Sequence, residues 1–226
     1  MECNPSIFTR FTEKLGYPCL DLAFYDVMGL DAETWMTTVP SPVAAVIVAF
    51  PLKECHQELR QQEIEEQKAD HSDVVFIKDR IENGWATIAL LHALLNTREY
   101  MVNGGFAEES FLDRFQTANF GANSDDMWQY LLNDTEIEMF HEESALEGTS
   151  NIISSSGSHF ITYIEKNGLV YELDGRLPEP IWKGEIEGFN LGAKVSSIIL
   201  QYMSMDPEEM KFSMVAFAQN NGTLYE

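Results

Sequence analysis

The stretch HFITYIEKNGLVYELD (159–174) reads as a strand, a turn and a second strand. β-Branched and aromatic residues flank Asn167-Gly168, a dipeptide that takes up the two left-handed conformations of a two-residue type I′ turn. Such a turn pairs Lys166 with Leu169, and counting back along both strands sets Asp174 opposite Ile161. His159 lies two residues from Ile161 and so shares its face. His159 and Asp174 then become diagonal neighbours, roughly 7–8 Å apart at the backbone and within side-chain reach. The stretch commits the chain to an antiparallel hairpin and sets an imidazole beside a carboxylate. By itself, a His/Asp pair on a hairpin is more often a structural contact than a catalytic one.

Outward from the hairpin, VAAVIVAF (43–50) is continuous, β-branched and closed by Pro51, the pattern of a strand buried on both faces. LDLAFYDV (20–27) and residues 212–218 predict further strands, and residues 74–77 a short one. Asn4-Pro5 ahead of Ile7, Phe8, Phe11 and Leu15, with Gly16 behind, spells a capped amphipathic helix. Asp31 caps a short helix through Trp35. Residues 56–72 are polar and charged and read as a solvated helix or loop. From Gly84 to Asn96, apolar residues recur almost all round a helical spacing, which predicts a central buried helix containing His92. Residues 107–146 predict about three helical segments, capped near Ser124 and Asp134, and residues 191–204 another helix. Between them EGTSNIISSSGS (147–158) reads as a loop. Strands and helices mix without βαβ alternation, so the expected class is α/β (α+β), with a mainly antiparallel sheet flanked by helices.

The chain has 226 residues and carries 37 acidic against 14 basic side chains, a net charge of -23. A surface of that sign repels nucleic acid and anionic membrane and favours a basic partner. The odd cysteine count (Cys3, Cys19, Cys55), with no CxxC, argues against a disulfide framework. The opening MECNPSIF shows no apolar run of signal-peptide length, which points to the cytoplasm. His56, His71 and His141 are not spaced as metal ligands, and no metal or cofactor is expected.

A His/Asp pair that served hydrolysis would need a nucleophile, best placed at the N-terminus of a buried helix. There the orphan N–H groups and the helix dipole lower a thiol pKa and hold an oxyanion. This sequence has such a start at Asn83-Gly84, but the next residue is Trp85.

DRIENGWATIALLHALLN (79–96) resembles the active-site segment of the ubiquitin C-terminal hydrolases, short single-domain type, whose pattern is Q-x-I-x-N-A-C-G-T-I-G-L-I-H-A. Ile81, Asn83, Thr87, Ile88, Leu90, His92 and Ala93 match in register. HFITYIEKNGLVYELDGRLPEPI (159–181) resembles the family's H-F … G-x-L-Y-E-L-D-G-R-x-P-x-P-I block. The N-terminal NPSIFTRFTEKLG, the VPSPVAAVIVAFPL segment and the HEESALEG run also fit in order, so the resemblance spans nearly the whole chain as one domain, 1–226.

The resemblance implies a papain-like fold with an active-site crossover loop at about 147–158, beneath which a ubiquitin tail would pass. It implies His159 as general base and Asp174 as its orienter. Ubiquitin or a ubiquitin-like protein is the implied partner, its arginine-bearing tail suited to an acidic cleft. No nucleic acid, no membrane and a monomeric chain are expected.

The departures fall on the machinery itself. Trp85 stands at the nucleophile position and Asp79 at that of the oxyanion-stabilising glutamine. An indole cannot attack a carbonyl, and a carboxylate repels a developing oxyanion. Losing a triad nucleophile costs about 10⁶ in rate, and losing one oxyanion donor about 10²–10³. By family register none of the three cysteines belongs beside His159, and Thr87, two residues further into the helix, would serve packing. The expectation is a ubiquitin-binding relative with defective catalysis. An active cysteine-type deubiquitinase cutting after the terminal glycine of ubiquitin, or a non-ubiquitin scaffold on the same fold, are the alternatives.

Overall fold

The hairpin predicted from the sequence lies inside a six-stranded sheet of order β1-β6-β2-β3-β4-β5. The structure, a computed structural model, describes residues 3–78, 85–102, 105–137, 139, 158–186, 190–208 and 211–222. The strands are β1 (Leu22–Asp26), β2 (Val43–Pro51), β3 (Ser158–Lys166), β4 (Leu169–Leu173), β5 (Ile181–Glu185) and β6 (Ser213–Gln219), and every pairing is antiparallel. Lys166 pairs with Leu169, and Asn167 and Gly168 both have positive φ, as the type I′ reading requires.

Helices cover both faces of the sheet. On one side α1 (Pro5–Leu15) and α4 (Trp85–Asn96) bury Phe8, Phe11, Leu15, Leu90, Leu91 and Leu94 against Phe24, Ala45, Ile47 and Phe217. On the other, α2 (Ala32–Thr38) and α7 (Leu191–Met205) pack Trp35, Val195, Ile199 and Tyr202 on Val46, Val48, Phe50 and Ile161. Alternate residues of β2 thus enter opposite cores, which is why its sequence is apolar without a break. Asn4 caps α1 by accepting from the backbone N–H groups of Ser6 and Ile7, and Gly16 closes it in the left-handed conformation, as Asn4-Pro5 and Gly16 predict.

Several elements differ from the expectation. Residues 74–77 are not a strand. Val75 bonds instead to the Asn96 side chain, through N–H to Oδ1 and C=O to Nδ2, both 2.8 Å. Ile77 N–H donates to His92 Nε2 at 3.0 Å. Side chains of α4 take the place of a ladder. The polar segment forms a regular helix, α3 (Glu54–Glu66), with His56 and Arg60 buried. The sixth strand, β5, has no alternating pattern to announce it. Helix α2 runs to Thr38 rather than ending at Trp35, and α6 (Ser124–Asn133), which follows α5 (Phe111–Ala118), is capped by Asn123 rather than Ser124. The loop expected at 147–158 lies outside the described residues, except for Ser158 in β3, as do Asp79, His141 and the whole HEESALEG run. No helix among the described residues is long and apolar enough to cross a membrane.

Candidate active site

His159 is the second residue of β3 and faces Phe50 of β2 across the ladder, while Asp174 follows the last residue of β4. Both are 2% exposed. The diagonal contact forms: His159 Nε2 lies 2.6 Å from Asp174 Oδ2. A carboxylate only accepts, so Nε2 carries the proton. The other ring nitrogen, Nδ1, lies 3.2 Å from Arg176 Nη1. A guanidinium only donates, so Nδ1 presents a lone pair. The ring is therefore held in the tautomer in which Nδ1 would take up a proton.

Asp174 is held from three directions. Its Oδ2 also accepts from Arg60 Nη2 at 2.5 Å, and its Oδ1 accepts the Arg176 backbone N–H at 3.0 Å. Burial works against the charge, but the hydrogen bond and field of His159, with those of Arg60, outweigh it. The carboxyl is held well below the usual range. Arg60 is itself 2% exposed and donates through Nε to Glu172 Oε1 at 2.6 Å. Glu172 accepts the Tyr163 and Tyr202 hydroxyls, each at 2.8 Å, and lies 3.4 Å from Lys183 Nζ. Burial opposes its ionisation too, but Lys183 and Arg60, with the two hydroxyls, bring its pKa down to about 2.

Helix α4 approaches this end of the sheet. Thr162 of β3 donates to the Ala89 carbonyl at 2.6 Å, fixing the helix to the strand. Ile88, Ala89 and His92 line a narrow cleft together with His159, Phe160, Leu173, Asp174 and Gly175. The cleft has no room for a water molecule. Trp85 opens the helix one turn before Ile88, at its N-terminal end. Its side chain is outside the described residues, and so is Asp79. His92 is fully buried, stacks on Phe76 and has a pKa lowered by burial to about 4, so it packs the helix as a neutral ring.

The structure therefore brings His159 and Asp174 together and sets α4 beside them. None of Cys3, Cys19 or Cys55 lines the cleft, and burial pushes the Cys3 and Cys19 thiols up to about 12. Thr87 is buried, as a packing residue would be. Among the described residues no group of His, Cys, Asp or Glu is arranged to hold a metal. Arg60 is the residue that sequence reading missed. A signal was present, because Glu172 sits at an inward position of an apolar strand and requires a buried cation.

A sequence model of ubiquitin carboxyl-terminal hydrolase, family 1, matches residues 1–204. The chain belongs to the ubiquitin carboxyl-terminal hydrolases. A probable ubiquitin carboxyl-terminal hydrolase of Dictyostelium discoideum is 33% identical, over 97% of this chain and 87% of its own. Ubiquitin carboxyl-terminal hydrolase isozyme L1 of Homo sapiens is 30% identical over 97% of both chains. Among solved structures, the Trichinella spiralis UCH37 catalytic domain bound to ubiquitin vinyl methyl ester superimposes with a TM-score of 0.75 at 21% identity, covering 97% of this chain and 94% of that one. The fold is the papain-like α/β arrangement of ubiquitin carboxyl-terminal hydrolases.

Proposed function

We propose that this chain binds ubiquitin or a ubiquitin-like protein but does not cleave it. The observation that carries the proposal is Trp85 at the head of α4, where the family motif has its cysteine. In a working family member the residue at position 85 would be the attacking thiolate. His159 would act as base and then acid, Asp174 as its orienter, and residue 79 as the oxyanion donor. This sequence supplies an indole and a carboxylate at the first and last of these positions. The chain would act as a monomer in the cytoplasm. A basic ubiquitin tail suits a protein with net charge -23, and the matched UCH37 domain was solved with a ubiquitin adduct, which supports the choice of partner.

The retained His159–Asp174 contact favours a second reading, an active deubiquitinase cutting after the terminal glycine of ubiquitin. Purified protein assayed with a fluorogenic ubiquitin substrate and a ubiquitin-based thiol probe separates the two. The expected result is no turnover and no labelling, and robust turnover would falsify the inactive reading. Calorimetric or NMR titration should detect ubiquitin binding. Absence of binding at millimolar ubiquitin would leave a scaffold role on the same fold.

A further inference from the structure

The buried polar groups around Asp174 form a cluster drawn from five elements, with Tyr163 of β3 among them. Arg60 comes from α3, Glu172 from β4, Lys183 from β5 and Tyr202 from α7, with Glu63 of α3 bonded to Lys183 at 2.6 Å. Among the described residues Arg60 is the one that spans the cluster and the dyad, because its Nε and Nη2 donate to two different carboxylates, Glu172 and Asp174. Its reach is fixed at both ends. The Tyr163 and Tyr202 hydroxyls hold Glu172, and Glu172 holds the guanidinium edge-on. The Asp174 oxygen that Arg60 grips is the same Oδ2 that accepts from His159.

We propose that Arg60 is a positioning residue for the His159–Asp174 pair: anchored on Glu172, it sets the rotation of the Asp174 carboxylate and so the orientation of the imidazole. Among the described residues the charged groups facing the pair are Arg60 from α3, Glu172 from β4 and Arg176 from the turn after β4, with neutral His92 of α4 also lining the cleft. The assignment goes beyond the proposed function, because it holds whether or not the chain turns over ubiquitin. A planar fork is required. A lysine ammonium at position 60 keeps the charge but cannot grip both carboxylates at once.

The test is solvent exchange of the His159 Nε2 proton, read by NMR on the ¹⁵N-labelled full chain, with circular dichroism to confirm folding. In the unsubstituted protein this proton should be protected. Arg60→Met and Arg60→Lys should each accelerate its exchange about tenfold or more, the value of a charge-assisted bond, whereas Lys183→Met should leave it within about twofold. Lys183 touches Glu172 but not Asp174, so a general weakening of the cluster would show there as well. Unprotected exchange before substitution, unchanged exchange in a folded Arg60 variant, or equal acceleration by Lys183→Met would overturn the assignment. So would failure of Arg60→Lys to fold, since Arg60 would then determine the fold rather than the dyad.

Discussion

At the scale of single residues, His159 and Asp174 lie in hydrogen-bond contact while position 85 carries an indole, which cannot attack a carbonyl. The Nδ1 lone pair of His159 faces Arg176 rather than a thiol proton. Restoring the family's residues therefore asks whether the rest of the cleft is intact. On the proposed function, Trp85→Cys combined with Asp79→Gln should raise turnover of a fluorogenic ubiquitin substrate by about 10² or more over the unsubstituted chain, since the two changes would supply a nucleophile and an oxyanion donor. Continued silence in a folded double variant would place further damage outside these two positions. Adding Asp174→Asn to an active double variant should lower the rate again, because the carboxylate that orients the ring is gone.

At the scale of elements, the layer of α2 and α7 depends on a close approach that the sequence marks only with a glycine. Helix α7 lies against α2 at Gly192, where a Cβ would come 2.7 Å from the Trp35 ring. Trp35 cannot simply swing away, because its indole N–H donates to Ser196 at 2.8 Å. Gly192→Ala should destabilise the protein by about 1–3 kcal/mol through overpacking, read as a lowered urea midpoint with unchanged slope. A neutral result would mean that α7 can slide on the sheet. On the opposite face, α4 substitutes for a strand partner through Asn96 and His92, so residues 74–77 pack beside it without joining the sheet.

For the whole molecule, the burial of His92 and the charged partners of Glu172 and Asp174 set how stability varies with pH. His92 is held at about 4 by burial, below its ordinary value near 6.5, so the unfolded chain binds a proton that the fold rejects between those values. The associated stability is complete above about pH 6.5 and is lost as pH falls towards about 4. Glu172, lowered to about 2, and Asp174, lower still, act in the same direction. Their contribution is complete above the ordinary carboxylate range and is lost as pH falls through about 2. Urea midpoints measured from pH 7 to pH 4 should decline, and His92→Gln should flatten the decline between about 6.5 and 4. Parallel profiles for the two proteins would show that the ring titrates alike folded and unfolded.

The sequence by itself determined the parts whose physics is local. The Asn167-Gly168 turn fixes strand register, and register fixes that His159 and Asp174 meet. Asn4-Pro5 and Gly16 bound α1, and the unbroken apolar run of β2 declares two buried faces. Tertiary structure alone decided the place of Arg60, because α3 buries only polar side chains, His56 and Arg60, one turn apart. Hydrophobic periodicity is blind to a helix held by charge rather than by apolar area. The same limit explains residues 74–77: their apolar sequence reads as a strand, but the groups that satisfy the backbone of Val75 and Ile77 are side chains of α4. Which polar groups are compensated, and by whom, depends on three-dimensional proximity that no local pattern encodes.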